Sequence, residues 1–391
     1  MRKIFVRGCI PSLLFMLATA SLALCAERVV DLTAADGAKL KATYYAAGKP
    51  GPGVLLLHQC NRDRKVWDGL AQQLAAAGIN VLTLDYRGFG ESAGIPHDKA
   101  TPQELNEELA KWPRDIDAAY QYLMSQPGVA RDAIGVGGAS CGVNNSLQMA
   151  IRHPEVRSLV LLSGNTNYDG RQFLRRDNRI PVFLAYANDD PSKPMVVAIQ
   201  WLYDTTADPD KKLVSYPTGG HGSDIFRVHP ELMTAITDWY VTTLIKTPGK
   251  APAANQSVAL LPEVQVLDAI DQPGGVAKEQ AQLEQARQRD PKATLFDEAS
   301  VNLMGYEHLQ AGDVKGAIEI LKLNAYAYPN SPNVYDSLGD VYLADGQGDL
   351  ARQNSRKALA LLSSDTTDDQ QRKNAIKASA EAKLGQLDDE P

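Results

Sequence analysis

Ser140 and Cys141 lie side by side in a glycine-rich stretch with the sequence IGVGGASCGVNN. Either side chain can attack a carbonyl group once a nearby base removes its proton. Glycine stands two residues before and two residues after Ser140, which gives the pattern G-x-S-x-G, whereas Cys141 has Ala139 and Val143 at those positions. A nucleophile on a sharp turn between a strand and a helix needs glycine at both positions. The spacing therefore predicts Ser140 as the nucleophile of an acyl-transfer reaction.

A serine nucleophile needs a histidine as general base and a carboxylate that orients the histidine. In the strand–turn–helix setting of G-x-S-x-G, the acid and then the histidine follow the serine along the chain. His221 lies in a glycine-flanked turn after the strand pattern VSYP, with His229 as the reserve candidate. The strand pattern PVFLAYANDDP ends in two aspartates. Asp190 is favoured as the acid because it stands three residues after Ala187, and Asp189 stays the alternative.

The attack of a serine on a carbonyl creates an oxyanion, which backbone N–H groups can stabilise. The residue after the nucleophile, Cys141, is the first predicted donor. The second is predicted in the loop after the strand pattern VLLLHQC, at Cys60, with Gln59 as the alternative. Cys60 and Cys141 are also the two cysteines that follow residue 26. If the two loops converge as predicted, the thiols come close enough to form a disulfide; two separately buried thiols are the default expectation.

The elements that must position these residues alternate between apolar strand patterns and helical patterns over residues 27–245. This alternation predicts an α/β fold, a mostly parallel sheet flanked by helices. The clearest strands are predicted at 54–57, 80–84, 134–137, 158–162 and 181–186, and helices at 66–77, 115–125 and 143–152. Each predicted site residue follows the end of a strand, so all of them are expected at one edge of the sheet.

A different pattern begins after a predicted linker, residues 246–275, which starts with the Pro- and Ala-rich sequence KTPGKAPAANQS. Residues 276–391 are predicted to be helical throughout. Two segments, 298–331 and 332–365, repeat small residues with a period of 34, which resembles the tetratricopeptide repeat. Helices at 276–289 and 368–387 are expected to flank the repeats. A peptide or protein partner is the expected ligand of such repeats.

Residues 1–26 combine basic residues at the start with a short apolar run and small residues at the end. This pattern predicts a signal peptide and an exported protein, periplasmic or secreted, with no membrane span after its removal. Lipid attachment at Cys25 is a less favoured alternative, because Leu24 stands where a small residue is expected. The net charge of −7 comes from interspersed acids and bases, which argues against a nucleic-acid partner. No motif calls for a metal or another cofactor.

Four motifs in the same order, LLLHQC, GINVLTLDYRGFGES, IGVGGASCG and GGHG, make residues 29–245 resemble the α/β-hydrolases of the dienelactone-hydrolase type. The resemblance implies hydrolysis of esters and related acyl compounds without a cofactor. It also implies catalytic roles for Ser140, Asp190 and His221, and an oxyanion hole formed by the amides of Cys60 and Cys141. Dienelactone hydrolases themselves use a cysteine nucleophile, so cleavage of lactones is not implied.

The leading hypothesis is thus an exported serine hydrolase that cleaves an ester or related acyl bond of a small-molecule substrate through an acyl-enzyme intermediate. The alternative hypothesis is a non-catalytic scaffold whose helical repeats hold a peptide or protein partner. A complete set of serine, acid and histidine favours the enzyme, because a scaffold does not require it.

Overall fold

The structure is a computed structural model that describes residues 27–176, 179–251 and 259–388. The predicted signal peptide, residues 1–26, and the alternative lipid-attachment site at Cys25 lie outside the described residues. The described chain consists of an N-terminal α/β part and a C-terminal part built from helices.

One eight-stranded sheet forms the centre of the α/β part. Its strands are β1 (Glu27–Thr33), β2 (Lys39–Tyr45), β3 (Gly51–Leu57), β4 (Asn80–Leu84), β5 (Val129–Ala139), β6 (Val156–Leu162), β7 (Val182–Ala187) and β8 (Lys211–Tyr216). The spatial order is β1-β2-β4-β3-β5-β6-β7-β8. The pairs β1–β2 and β2–β4 are antiparallel, and all other neighbouring pairs are parallel. The predicted α/β fold with a mostly parallel sheet is confirmed.

Helices cover both faces of this sheet. They are α1 (Asp68–Ala76), α2 (Pro102–Leu109), α3 (Trp112–Ser125), α4 (Cys141–Arg152), α5 (Tyr168–Arg175), α6 (Lys193–Thr205), α7 (Ile225–Val228) and α8 (Glu231–Val241). Short 3₁₀ turns lie at Arg64–Trp67 and Gly222–Asp224, and a π-helical turn lies at Thr242–Lys246. Most of these helices contribute buried apolar residues to the core on their own side of the sheet, whereas α2 has no buried residue.

The buried strand β3 shows how the two faces are filled. Leu55 and Leu57 point into the core that α3, α4 and α6 cover, whereas Val54 and Leu56 point into the core of α1 and α8. Successive side chains of a strand alternate between faces, so a continuous apolar run is what a strand buried on both sides requires. Packing on both faces therefore holds the central strands, and with them the sheet edge at which they end, in place.

The first two strands were not among the predicted strands. β1 has the sequence ERVVDLT and lies at the sheet edge, with most of its side chains exposed or half-buried. An edge strand pairs on one side only, so its sequence carries less of the apolar pattern that marks a strand. Because β1 and β2 lie far from the carboxyl ends of β5, β7 and β8, their omission does not affect the predicted site.

The C-terminal part contains seven helices within the described residues. They are α9 (Pro262–Ile270), α10 (Gly275–Arg289), α11 (Glu298–Gln310), α12 (Val314–Ala327), α13 (Pro332–Ala344), α14 (Gly348–Leu361) and α15 (Gln370–Asp388). Helix α9 falls inside residues 246–275, so the second half of the predicted linker is structured. Its residue Leu267 is buried in one apolar cluster with Trp201 of α6. A nine-residue helix between a proline and a glycine pair is too short to show a clear apolar period.

Helices α11 to α14 form two successive pairs with the same spacing. Helix α13 begins 34 residues after α11, and α14 begins 34 residues after α12. Within each pair a small residue permits close contact: a methyl group added to Gly305 would lie 2.5 Å from Leu321 Cγ, and one added to Gly339 would lie 2.9 Å from Ser355 Oγ. The two helix pairs thus pack through equivalent positions of the repeating sequence.

Candidate active site

Ser140 forms the turn between the end of β5 and the start of α4, with a φ of 53° and a ψ of −119°. A positive φ is unfavourable for a residue with a Cβ, and such strain is characteristic of functional turns. Two hydrogen bonds of 2.9 Å hold the turn: the N–H of Ser140 donates to the carbonyl of Leu162, and its carbonyl accepts from the N–H of Val143. The structure therefore places Ser140 in the raised turn that the G-x-S-x-G pattern predicts.

The two glycines of the pattern are required by close backbone contacts. A methyl group added to Gly138 would lie 2.0 Å from the carbonyl oxygen of Gly142. A methyl group added to Gly142 would lie 2.3 Å from the carbonyl oxygen of Leu57 in β3. Because both contacts are with backbone atoms, no side-chain rearrangement can relieve them. The turn thus accepts only glycine at these positions, centred on Ser140 rather than on Cys141.

Asp190 and His221 form a hydrogen-bonded pair at the same edge of the sheet. Asp190 follows β7 and is fully buried, and its Oδ2 lies 2.8 Å from Nδ1 of His221 in the turn after β8. The second oxygen, Oδ1, accepts a hydrogen bond of 2.8 Å from the N–H of Ser192. Both oxygens are therefore held in place, and the carboxylate fixes the orientation of the imidazole.

The neighbouring aspartate has a different partner. Asp189 is exposed, and its Oδ1 accepts a hydrogen bond of 2.9 Å from the backbone N–H of Gly220. That hydrogen bond holds the pKa of Asp189 below its ordinary value. Of the two candidate acids, the structure brings Asp190 to the histidine, whereas Asp189 braces the turn one residue before it.

His229, the reserve candidate, and His58, which precedes the loop of Cys60, lie elsewhere. His229 stacks on Tyr216 with ring centroids 4.1 Å apart, and its Nδ1 lies 2.9 Å from Glu231 Oε1. His58 is fully buried beside Tyr86: Nδ1 lies 2.8 Å from the carbonyl oxygen of Gln59, and Nε2 accepts from the N–H of Tyr86 at 3.3 Å. Burial lowers the pKa of His58, so it is a neutral structural residue.

The backbone segments that carry Ser140 and His221 are in contact. A methyl group added to Gly222 would lie 3.3 Å from Cβ of Ala139, so the residues next to His221 and Ser140 touch. Within the described residues no hydrogen bond joins the Ser140 hydroxyl to the imidazole. Hydrogen bonds between a nucleophile and its base are often long without substrate and tighten when the substrate binds.

Gln59 holds the turn that carries His221, a role that the sequence did not reveal. Its buried side-chain oxygen accepts hydrogen bonds from the N–H of Ser223 at 2.7 Å and from the Ser223 hydroxyl at 2.8 Å. Its side-chain nitrogen donates to the carbonyl of His221 at 3.4 Å. The sequence predicts Gln59 only as an alternative backbone donor, because no local pattern shows that a side chain reaches a turn 162 residues away.

A disulfide joins Cys60 to Cys141, with their Cα atoms 5.9 Å apart. The two loops therefore converge as predicted, and the expectation of two separate thiols is wrong. Helix α4 begins at Cys141, whose N–H has no carbonyl partner among the described residues; the same holds for the N–H of Cys60. Two free donors thus lie on linked residues beside Ser140, where the sequence analysis placed the oxyanion hole.

We expect the disulfide to contribute about 2–4 kcal/mol to the free energy of unfolding, because it closes a long loop of the unfolded chain. The two cysteines are 81 residues apart. The prediction is checked by urea denaturation with and without dithiothreitol. The double variant Cys60→Ser/Cys141→Ser is the control and should not respond to the reductant. Two alkylatable thiols in the native, unreduced protein would contradict the prediction.

A cleft of about 920 Å³ opens next to Cys60 and the turn after β4. Its walls combine polar and charged residues, among them Asn61, Ser92 and Asp98, with the aromatic pair Phe89 and His97. The rings of that pair lie 4.9 Å apart. The cleft is large enough for a substrate of the size of many metabolites.

Neither a candidate metal cluster nor a candidate membrane-spanning helix occurs in the described residues. No group of three or more histidine, cysteine, aspartate or glutamate residues in them could hold a metal ion. No helix in ranges 27–176, 179–251 and 259–388 has both the length and the apolar character needed to cross a membrane.

The sheet, the strained serine turn and the acid–histidine pair define a protein with the α/β-hydrolase fold, followed by a helical domain. Residues 48–176 match the family described as "Serine aminopeptidase, S33". The match covers the loop of Cys60 and the serine turn.

Several known proteins are similar to part of the chain. A thiohydrolase, AneE of Aspergillus aculeatus, is 29% identical over 134 residues, which is 34% of this chain and 39% of that protein. An uncharacterised protein of Mycobacterium tuberculosis is 32% identical over 151 residues, 38% of this chain and 50% of that protein. The alignments thus span half or less of the length of these curated relatives.

Among solved structures, the esterase Pf2001 of Pyrococcus furiosus is 20% identical with a TM-score of 0.45. The alignment covers 56% of this chain and 94% of the esterase. A dienelactone hydrolase-like promiscuous phosphotriesterase from metagenomic libraries is 18% identical with a TM-score of 0.44, over 55% of this chain and 98% of that chain.

Proposed function

We propose that the protein is a serine hydrolase that cleaves an ester or thioester bond of a small acyl substrate. The observation that carries the proposal is the convergence of three features at one edge of the sheet. These are the strained turn of Ser140, the buried pair of Asp190 and His221, and the free N–H groups of Cys60 and Cys141. This combination supports acyl transfer, because each feature supplies a group that the reaction needs.

In the proposed first step, Ser140 Oγ attacks the carbonyl carbon of the substrate while Nε2 of His221 takes the hydroxyl proton. The N–H groups of Cys60 and Cys141 donate hydrogen bonds to the resulting oxyanion. Collapse of the tetrahedral intermediate breaks the bond to the leaving alcohol or thiol, which receives the proton from His221. An acyl group is then joined to Ser140 Oγ.

In the second step, water loses a proton to His221 and attacks the acyl carbon. The bond to Ser140 Oγ breaks, the proton returns to the serine oxygen, and the carboxylic acid leaves. Asp190 remains ionised throughout and stabilises the imidazolium that forms in each step. All atoms come from the substrate, one water molecule and these side chains, so the cycle needs no cofactor.

Two further parts of the proposal have separate support. A thioester is included among the substrates because the similar Aspergillus aculeatus protein is named a thiohydrolase. Export of the chain is supported by the Cys60–Cys141 disulfide, since disulfides persist in oxidising compartments such as the periplasm or the extracellular space.

We expect a fluorophosphonate probe to label the native protein at Ser140. The Ser140 oxygen displaces fluoride from phosphorus only when a base and an oxyanion site are in place, so labelling reports the assembled site. Labelling should disappear in Ser140→Ala, which lacks the reacting oxygen. It should remain in Cys141→Ala, because that substitution keeps the backbone N–H. Gel fluorescence and peptide mass spectrometry measure both results.

Two outcomes would contradict the proposed function. Loss of labelling only in Cys141→Ala would show that Cys141, and not Ser140, is the nucleophile. A folded native protein that neither reacts with the probe nor hydrolyses p-nitrophenyl esters would favour the second candidate, a scaffold that holds a peptide or protein.

The second candidate is supported by a groove in the helical part. The groove has a volume of about 350 Å³ and is lined by side chains of α11, α13 and α15, among them Tyr306, Asp340 and Arg372. Tyr306 and Asp340 occupy positions 34 residues apart and hydrogen-bond to each other at 2.6 Å. A polar groove that crosses successive helix pairs is suited to an extended peptide.

A further inference from the structure

A small cavity lies where the α/β part meets the helical part. Its volume is about 50 Å³. Both parts contribute to its lining, which includes Asn165, Met195, Trp201, Leu267, Leu303 and Met304. The first three residues come from the loop after β6 and from α6, and the last three come from α9 and α11.

The cavity lies next to the serine turn. A methyl group added to Gly164 would lie 2.5 Å from the carbonyl oxygen of Ser140, so the residue that precedes Asn165 touches the turn. Met195 follows Asp190 by five residues at the start of α6. In the α/β part, the cavity is thus lined by the loop after β6, which contacts the serine turn, and by the start of α6, which follows Asp190.

The cavity and the large cleft beside Cys60 lie on opposite sides of the strand that carries Ser140. In the sheet, β5 has β3 on one side and β6 followed by β7 on the other. Cys60, which borders the cleft, follows β3, whereas Asn165 of the cavity follows β6. The two spaces thus flank the strand that carries Ser140, with the cleft on the β3 side and the cavity on the β6 side.

The lining of the cavity is mainly apolar. Trp201, Leu267 and Met304 are buried, and Leu303 is 50% exposed at the rim. At the inner end, Asn165 Oδ1 is buried and has no hydrogen-bond partner within the described part of the chain. Such a lining favours an aliphatic group, with one polar atom left to contact the polar end of that group.

We propose that this cavity binds the acyl chain of the substrate and that the helical part forms one of its walls. About 10–15 Å³ of cavity volume is needed to hold one water-sized group. A volume of about 50 Å³ therefore accommodates an aliphatic chain of about three to five non-hydrogen atoms. The substrate class is then an ester or thioester of a short aliphatic acid, with its leaving group in the cleft beside Cys60. This inference rests on the proposed function.

The wall is fixed relative to the site by a buried ion cluster. Arg171 of α5 is fully buried and bridges Asp271, which follows α9, and Glu307 of α11, at 2.7 and 2.5 Å. The same guanidinium donates to the carbonyl of Thr166, the residue after Asn165, at 2.9 Å. The elements that line the cavity from both parts are thus tied to one side chain.

The test uses the full chain and measures kcat/KM for p-nitrophenyl esters of two to eight carbons in the acyl group. The native protein is expected to prefer butyrate. Leu303→Ala opens the cavity at its rim and should raise the ratio of octanoate to butyrate about tenfold or more. Leu303→Trp fills the same space and should lower the ratio of butyrate to acetate by a similar factor. Because Leu303 is half exposed, neither substitution removes core packing.

Leu261→Ala is the matched control, since Leu261 is an exposed leucine of the helical part that does not line the cavity. It should leave the chain-length profile unchanged. Fluorophosphonate labelling of every variant separates the two proposals. Labelled variants whose profiles all equal that of the native protein would overturn the acyl-chain site and leave the proposed function intact. A native protein without labelling or ester hydrolysis would overturn both.

Discussion

Replacement of Asp190 by asparagine is expected to lower kcat for p-nitrophenyl butyrate by about 10⁴-fold. Asp190 accepts a hydrogen bond from Nδ1 of His221 at 2.8 Å, which leaves Nε2 free to take the serine proton. An asparagine that donates its amide hydrogen to Nδ1 would favour the tautomer with its proton on Nε2. It would also leave the imidazolium of the partly buried His221 without a compensating charge.

Asp189→Asn is the matched control, because the same change of charge is made one residue away. Asp189 accepts its hydrogen bond from Gly220, and an asparagine oxygen can accept that bond as well. We therefore expect kcat to change by less than about tenfold. Equal losses in the two variants, or a larger loss in Asp189→Asn, would contradict the assignment. Circular dichroism of both variants checks that the fold is retained.

The serine turn could be predicted from the sequence because its cause is local. Gly138 and Gly142 are required by backbone contacts within a short segment and with the adjacent strand β3. The same strand–turn–helix segment shows an apolar strand before Ser140 and a helical pattern after it. When the backbone geometry of a turn depends on residues close in the sequence, the spacing of those residues predicts the turn.

The choice between two adjacent aspartates could not be made in the same way. Asp189 and Asp190 have the same chemistry, and one residue of difference decides which of them points toward β8. The tight turn after β7, in which the N–H of Asp190 donates to the carbonyl of Ala187 at 3.2 Å, sets that direction. The position relative to Ala187 favoured Asp190, but only the three-dimensional course of the turn shows its contact with His221.

Some contacts between distant segments, those of Gln59 and Arg171, have no pattern in the sequence. Gln59 reaches the turn of His221, and Arg171 reaches Asp271 across 100 residues. Arg171 lies in the charged segment YDGRQFLRR, which is typical of an exposed helix, yet its side chain is fully buried. The junction between the two parts of the chain was therefore invisible to the sequence analysis, which placed a linker there.

The junction explains how a helical part can influence a site at the sheet edge. Burial by itself would raise the pKa of Asp271, but the positive charge of Arg171 and a hydrogen bond from His308 hold it well below its ordinary value. Asp271 is thus a permanent anion inside the protein. Its second cation, Arg175, also contacts Asp268 of α9 at 2.7 Å. Helix α5 is therefore held to the helical part by two arginines.

Replacement of Arg171 by methionine is expected to lower the free energy of unfolding by about 3–5 kcal/mol. Methionine fills a similar volume, so the loss comes from the charge. Without Arg171, Glu307 loses its cation, and Asp271 keeps only Arg175 and His308 in a site with no exposure to water. A buried carboxylate without its partner costs several kcal/mol, whereas the pair as a whole contributes much less.

Urea denaturation followed by circular dichroism measures this loss, and Arg157→Met is the matched control. Arg157 is an exposed arginine in β6, so its replacement should change the free energy by no more than about 0.5 kcal/mol. The triple variant Arg171→Met/Asp271→Asn/Glu307→Gln should recover part of the stability, because it removes the uncompensated charges as well. An Arg171→Met protein as stable as the control would show that the cluster does not join the two parts of the chain. Arg171 also holds the loop of Asn165. If Arg171→Met is destabilised but has the same acyl-chain preference as the native protein, the ion cluster stabilises the fold without determining the shape of the acyl cavity.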